Sequence, residues 1–261
     1  TDSTVTYTAE DDKYSFYYDP EIRTLNSKDI IPDEIKACID AELPMPYGQR
    51  FNFFQNIISA DLDIRRSIVL DNHERPLELI KMLNEIYSTS RFDTLVEKKI
   101  KKTNYYCVLL DDSKYIREDY LSSGEFFLIS LYRKIKAGAK LIAIDEIDIS
   151  LDAAAQTKLA GKLREFCEQY KVNIFFTTHS LPLMKTLLYG ELFHLEEVDG
   201  IVSPLPVSYN FIKSLLFGFE GWDKYILTED KVLQRFLEFI INKFCAETFY
   251  RFKIIYIGGA P

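Results

Sequence analysis

The sequence holds no apolar run near the roughly 18 residues that a membrane-spanning helix needs. No basic segment followed by an apolar one opens it, so no secretion signal is visible. Its four cysteines, Cys38, Cys107, Cys167 and Cys245, stand far apart without a CxxC pair, which argues against a zinc ribbon or a disulfide framework. A reducing cytoplasm is the compartment this points to. Internal repeats and low-complexity tracts are missing too. Basic charge is short: 32 Lys and Arg face 40 Asp and Glu, a net charge of −8. That balance gives no global attraction to nucleic acid, so a DNA contact needs a local basic patch or a partner. Glycine is scarce, at 10 residues in 261.

What is present is an ordinary globular composition, 47% hydrophobic and 28% charged, long enough for one large domain or two small ones. The first residue is Thr, and Gly258-Gly259-Ala260-Pro261 ends the chain straight after an apolar strand-like run. Both ends are expected to be cuts in a longer protein.

Val5, Tyr7, Tyr14, Phe16 and Tyr18 alternate with polar residues around the acidic turn Glu10-Asp11-Asp12, which predicts short antiparallel strands. Ile35, Cys38, Ile39 and Leu43 predict a helix over 27–43, starting near Ser27 or Asp29 and broken by Pro44-Met45-Pro46-Tyr47-Gly48. The densely apolar 51–70 stretch is undetermined. Helices are expected at 76–88, with Pro76 in the first turn, and at 92–102. The second would end in Lys98-Lys99-Ile100-Lys101-Lys102, the one dense basic cluster. It reads either as a solvated helix end complementing the helix dipole or as a DNA phosphate contact. A strand at 105–110 ends at Asp111-Asp112.

Beyond residue 120 the pattern sharpens. A helix (126–136), an apolar strand (141–144), a long helix (152–170), a second apolar strand (172–177) and a short helix (181–188) predict a buried parallel sheet. Residues 191–207 read as a hairpin around Asp199-Gly200. The segments 224–228, 230–245 and 252–257 read as strand, helix and strand, with 217–222 as the linker before them.

Four elements between 121 and 180 carry chemistry. Ser122, Ser123, Gly124 and Glu125 sit at a helix start, where hydroxyls and free N–H groups make either an anion site or an ordinary cap. The apolar strand 141–144 ends in Asp145-Glu146, at the sheet edge where ligands of parallel sheets bind. Asp145 can hold Mg²⁺ and Glu146 can polarise a water for attack on a phosphate; the plainer alternative is a strand ending at a charged turn. Asp152 enters the long helix and would cap it in any case. His179 ends the next strand, where it is either structural or able to sense a γ-phosphate.

The ordered set resembles the C-terminal half of an ABC-type ATPase head of the SMC, RecF and OLD kind, over roughly 120–190. Residues 121–125 resemble the signature LSGGQ or LSGGE, with Ser123 replacing the first Gly. Residues 141–146 resemble Walker B, 145–152 the SMC-type Walker B and D-loop run, and His179 the switch histidine. The resemblance implies that Ser122 and Gly124 contact the γ-phosphate of ATP on an opposite protomer, and that Asp145 serves Mg²⁺ and Glu146 the attacking water. Asp152 would communicate across the dimer and His179 would meet the γ-phosphate. It also implies a head-to-head homodimer or higher oligomer around ATP. The implied fold is α/β, a head with a mostly parallel sheet flanked by helices and antiparallel β elements over 1–216, and 76–102 as a short helical insertion where SMC proteins carry arms.

The scarcity of glycine matters here. The family cradles phosphates with GxxxxGK[ST], and none of the 10 glycines begins that pattern. The expectation is that the Walker A lobe lies outside the sequence; the alternative is a degenerate head.

The order strand, Glu229, helix, strand over 217–261 resembles the start of a TOPRIM βαβ domain, with Glu229 as a metal ligand, although Asp230 stands where that family has Gly. The alternative is a plain βαβ unit whose Glu229-Asp230 pair caps its helix. Head and TOPRIM-like start together resemble ATPase subunits of anti-phage systems such as Septu with its retron-associated PtuA, PARIS, Gabija and OLD. That implies control of a partner nuclease or toxin, with a DNA-repair or chromosome-maintenance ATPase, or a non-hydrolysing ATP-bound scaffold, as alternatives. No membrane role is expected.

Overall fold

The computed structural model describes residues 4–9, 12–27, 30–42, 50–111, 114–218, 221–244 and 250–258. The expected features at Glu10-Asp11, Asp29, Leu43 and Pro44 to Gly48, Asp112, Phe219-Glu220, Cys245 and 259–261 lie outside the described residues. The chain divides into two units, 1–178 and 179–261.

The first unit opens with β1 (Thr4–Ala9), β2 (Asp12–Asp19) and β3 (Thr24–Asn26), an antiparallel sheet with Val5 opposite Phe16 and Tyr7 opposite Tyr14. The alternating aromatic pattern is thus realised as cross-strand pairs; the Tyr7 and Phe16 rings meet edge to face at 5.5 Å. Next come α1 (Asp33–Cys38), β4 (Ile39–Glu42), α2 (Arg50–Ser59), α3 (Asp61–Val69) and α4 (Leu77–Tyr87). A 3₁₀ turn at Arg91–Thr94 leads into β5 (Leu95–Ile100), β6 (Thr103–Leu109) and β7 (Tyr115–Arg117), an antiparallel sheet. Then follow α5 (Ser123–Lys136), β8 (Leu141–Ile144), α6 (Ala153–Tyr170) and β9 (Asn173–Phe176).

Two local expectations fail. The helix over 27–43 is only α1, and Ile39 begins a strand that pairs parallel with β8, Ala41 opposite Ala143. Four residues with a parallel partner gain ladder hydrogen bonds that the local apolar spacing cannot reveal. The helix over 92–102 is a 3₁₀ turn followed by β5, because β6 supplies a full antiparallel partner and buries Leu95 and Val96. The four lysines therefore stand at the end of a hairpin, with Lys101 in the left-handed region at φ 56°, and no helix dipole is there to complement.

The parallel sheet runs β4-β8-β9. On one face Ile142 and Ile144 are fully buried. Helices α4, α5 and α6 pack on one another, burying Leu79 and Leu83 of α4, Leu128 and Ile129 of α5, and Leu159 and Phe166 of α6. On the other face the register neighbours Ala143 and Phe175 are exposed, Phe175 by 67%. The expectation of a buried parallel sheet therefore holds for one face only among the described residues. A second core joins α2 and α3 to the β5–β6 hairpin through Ile57, Ile64, Val96, Tyr105 and Cys107. Burial pushes the Cys107 thiol up to about 12, leaving it inert at neutral pH.

The second unit comprises α7 (Leu181–Met184), the hairpin β10 (Phe193–Val198) and β11 (Ile201–Pro206), α8 (Tyr209–Phe217), β12 (Lys224–Thr228), α9 (Lys231–Phe244) and β13 (Phe252–Tyr256). Asp199 and Gly200, both at positive φ, make the hairpin turn as their sequence predicts. Met184, Leu192, Val207 and Ile212 form its core. Strands β12 and β13 pair parallel across α9, the βαβ order read from the sequence. No helix among the described residues is long and apolar enough to cross a membrane.

Candidate functional site

The start of α5 is a capping box. Ser122 Oγ accepts from the Glu125 amide at 3.3 Å, and the Ser122 amide donates to Glu125 Oε2 at 2.9 Å. Serine and glutamate three apart are what this reciprocal cap requires, so the cap alternative for 122–125 is realised. Glu125 is 5% exposed and takes both donors of Arg91, at 2.5 and 3.3 Å. Arg91, 34 residues upstream, had no sequence signal; only the 3₁₀ turn before β5 brings it here.

Gly124 serves by what it lacks. A Cβ there would come within 2.4 Å of the Ser150 carbonyl oxygen, 2.8 Å of the Tyr87 hydroxyl and 3.0 Å of Leu151 Cδ2. The 122–125 segment and the 150–152 turn thus touch through backbone, with Tyr87 at the end of α4 beside them. Burial, then the charges of Glu125 and Asp152, raise the Tyr87 hydroxyl far above its ordinary range, so it stays protonated. Asp152 accepts from the Ala155 amide at 2.8 Å and caps α6.

Asp145 and Glu146 follow β8 directly and turn back on the end of β9. Glu146 is non-glycine at φ 50°, a left-handed conformation that needs local support. Thr177 supplies it. Its hydroxyl donates to Asp145 Oδ1 at 2.7 Å and accepts the Glu146 amide at 2.8 Å, while its carbonyl accepts from the Ile147 amide at 3.1 Å. Thr178 Oγ1 bonds Asp148 Oδ1, and Gln156 Nε2 donates to the carbonyls of Asp148 and Leu151 at 3.1 and 2.7 Å. The turn carrying the two carboxylates is thereby tied to the sheet and to α6. Thr177, Thr178 and Gln156 were not singled out in the sequence; the Thr-Thr pair ending an apolar strand marks the place of the two threonines but not their role, and Gln156 inside α6 carries no signal.

Among the described residues no three His, Cys, Asp or Glu side chains gather as a metal cage. One exposed carboxylate, Asp145, suits a cation that takes its remaining ligands from phosphates and water, which is how Mg²⁺ binds with nucleotides. The donor set therefore fits Mg²⁺ brought with ATP.

His179 follows Thr178 as the exposed first residue of the second unit. Glu229 is exposed just after β12, and Asp230 Oδ1 accepts from the Val232 amide at 2.7 Å at the start of α9. For Asp230 the helix-start role named as the alternative is realised.

No protein-family model matches the chain, and no curated protein does. Among solved structures the chain is similar to one from work on ATP-driven dimerization and DNA-stimulated activation of SMC ATPases, at 14% identity and a TM-score of 0.38, over 60% of this chain and 94% of that one. It is similar to the SMC head domain of Thermotoga maritima at 13% identity and a TM-score of 0.38, over 78% and 73%. A third is the Pyrococcus furiosus Smc head with an extended coiled coil, bound to the C-terminal domain of ScpA, at 17% and 0.35; the match takes in 53% of this chain and 35% of that one. Similarity at this level is partial, so the functional reading rests on the residues of the site.

Proposed function

We propose that this chain contributes the signature, Walker B and D-loop side of an ABC-type ATP site, and that ATP draws two copies together head to head. The observation that carries the reading is the juxtaposition of two sequence-distant motifs. Gly124 packs on the Ser150 carbonyl of the turn that follows Asp145 and Glu146, and that turn is itself bound to the end of β9. In this reading Asp145 holds Mg²⁺, and Mg·ATP supplies the electrophilic γ-phosphate. Glu146 orients and accepts a proton from the attacking water. Ser122 and Ser123 present hydroxyl groups, and Ser123 and Gly124 helix N-terminal N–H groups, to the phosphates of the partner's nucleotide. Glu125 holds the capping box that fixes them, Asp152 acts across the dimer and His179 is directed toward the γ-phosphate. The sequence holds no GxxxxGK[ST], so the assignment is confined to this side of the site.

Mg²⁺-dependent ATP turnover by the full-length protein tests it. Glu146→Gln is expected to lower turnover at least ~100-fold while ATP still binds. Turnover unchanged by that substitution would sink the assignment.

The finer reading is control of a partner nuclease or toxin in anti-phage defence, in the cytoplasm; the net charge of −8 supports a protein partner over DNA. Co-purification of a nuclease would support it, and recovery of DNA alone would oppose it. Glu229 as a TOPRIM metal ligand predicts divalent-metal-dependent nicking that Glu229→Ala abolishes. One observation favours the DNA-maintenance alternative: Lys99, Lys101 and Lys102 are exposed together at the β5–β6 hairpin end. DNA affinity that falls steeply with salt and drops on replacing these lysines would decide for it.

A further inference from the structure

We propose that Thr177 is the positioning residue of the acidic pair, its single hydroxyl orienting Asp145 toward the magnesium of Mg·ATP and fixing the backbone of Glu146. The inference deepens the ATP-site reading and rests on it. A threonine hydroxyl has one hydrogen to donate and lone pairs to accept with. Here both capacities go to neighbouring residues of one turn: the hydrogen to Asp145 Oδ1 at 2.7 Å, a lone pair to the Glu146 amide at 2.8 Å.

The two bonds act on different problems. The bond to Oδ1 holds one carboxylate oxygen and fixes the plane of the group, which leaves Oδ2 as the oxygen for the cation. The bond from the Glu146 amide supports a non-glycine residue at φ 50°, a conformation that sets where the Glu146 side chain leaves the backbone. Thr177 is itself held. Its amide donates to the Ile144 carbonyl at 3.0 Å, and its carbonyl takes the Ile147 amide at 3.1 Å, so the hydroxyl works from a fixed point of the sheet. A serine could make the same two bonds; a valine of nearly the same shape could make neither.

Two measurements on the full-length protein test this, one of them independent of turnover. Amide hydrogen exchange reads the Glu146 N–H directly. Thr177→Val is expected to speed exchange about fivefold, the effect of losing one net hydrogen bond, and Thr177→Ser is expected to restore protection. Manganese bound in the presence of ATP, followed by electron paramagnetic resonance, is expected to weaken about fivefold in Thr177→Val and to recover in Thr177→Ser. In turnover the valine variant should need more Mg²⁺ for half-maximal rate and show a lower kcat with little change in KM for ATP. If the valine variant does not fold, Thr177→Ala against Thr177→Ser repeats the comparison without the branched methyl.

Unchanged Glu146 exchange in the hydroxyl-less variant overturns the proposal. So does faster exchange with manganese binding and Mg²⁺ dependence left as in the wild type, since the hydroxyl would then be a turn constraint alone. Failure of the ATP-site reading looks different: turnover indifferent to Glu146→Gln, whatever the exchange data give.

Discussion

Replacing Gly124 by alanine tests the contact on which the site is built. The added Cβ would lie 2.4 Å from a backbone carbonyl oxygen, that of Ser150, and 2.8 and 3.0 Å from the Tyr87 hydroxyl and Leu151 Cδ2. The two side chains can swing aside. The carbonyl cannot, because the Leu151 amide is bonded to the Asp148 carbonyl at 3.1 Å and Asp152 caps α6. Overpacking of this kind costs about 1–3 kcal/mol. Alanine recovers at most ~1 kcal/mol of helix propensity, less in a first turn. A net loss of about 1–2 kcal/mol should lower the melting temperature by roughly 2–8 °C, at some 2–4 °C per kcal/mol for a unit of this size.

The control is Gly161, inside α6 with nothing within 4 Å of its added Cβ. Gly161→Ala should gain up to ~1 kcal/mol and melt about 2–4 °C higher. Scanning calorimetry of both variants decides the matter. If Gly124→Ala melts at or above the wild type, the 122–125 and 150–152 segments are not in backbone contact and the reasoning fails.

Three further outcomes follow from the same contacts. Asp152→Ala should lose about 1 kcal/mol as a helix cap, read by urea denaturation, whereas Asp152→Asn should keep stability and still impair any role across a dimer. Arg133→Met strands Glu118, a fully buried carboxylate that also accepts the Tyr106 amide at 3.0 Å, and should cost about 3–5 kcal/mol at neutral pH. Burial pushes Glu118 up and Arg133 opposes it, so without Arg133 the folded carboxyl rises further and the loss should shrink as pH falls toward 4.5. The carboxyl of Glu78 is the reverse case: burial would raise it, but hydrogen bonds from Tyr170, Tyr132 and Lys136 outweigh that and hold it below its ordinary 4.5. Its contribution is present above 4.5 and lost as pH falls through the lower folded value, so Glu78→Gln should flatten the acid limb of a stability-against-pH curve.

The parts of this fold that were legible in the sequence are those where local chemistry and tertiary position agree. Asp199-Gly200 demanded a hairpin turn, residues 122–125 marked a helix start as an anion site or an ordinary cap, and Asp145 closed an apolar run. Where a distant partner decided the outcome, the sequence was silent. Ile39 has helical spacing yet joins β8, and the 95–100 stretch looks helical yet pairs with β6. At the site the same division holds. The carboxylates and the 122–125 cap were readable from their motifs. Arg91 and Thr177 were not, because each acts on residues more than 30 positions away.

The most direct test of the central claim, a composite ATP site shared by two copies, is the self-association of the full-length Glu146→Gln protein by sedimentation velocity. With Mg·ATP it should sediment as a dimer and without nucleotide as a monomer, and Ser122→Arg added to it should abolish the dimer. A mass unchanged by ATP, or an ATP-dependent dimer indifferent to Ser122→Arg, would contradict the account.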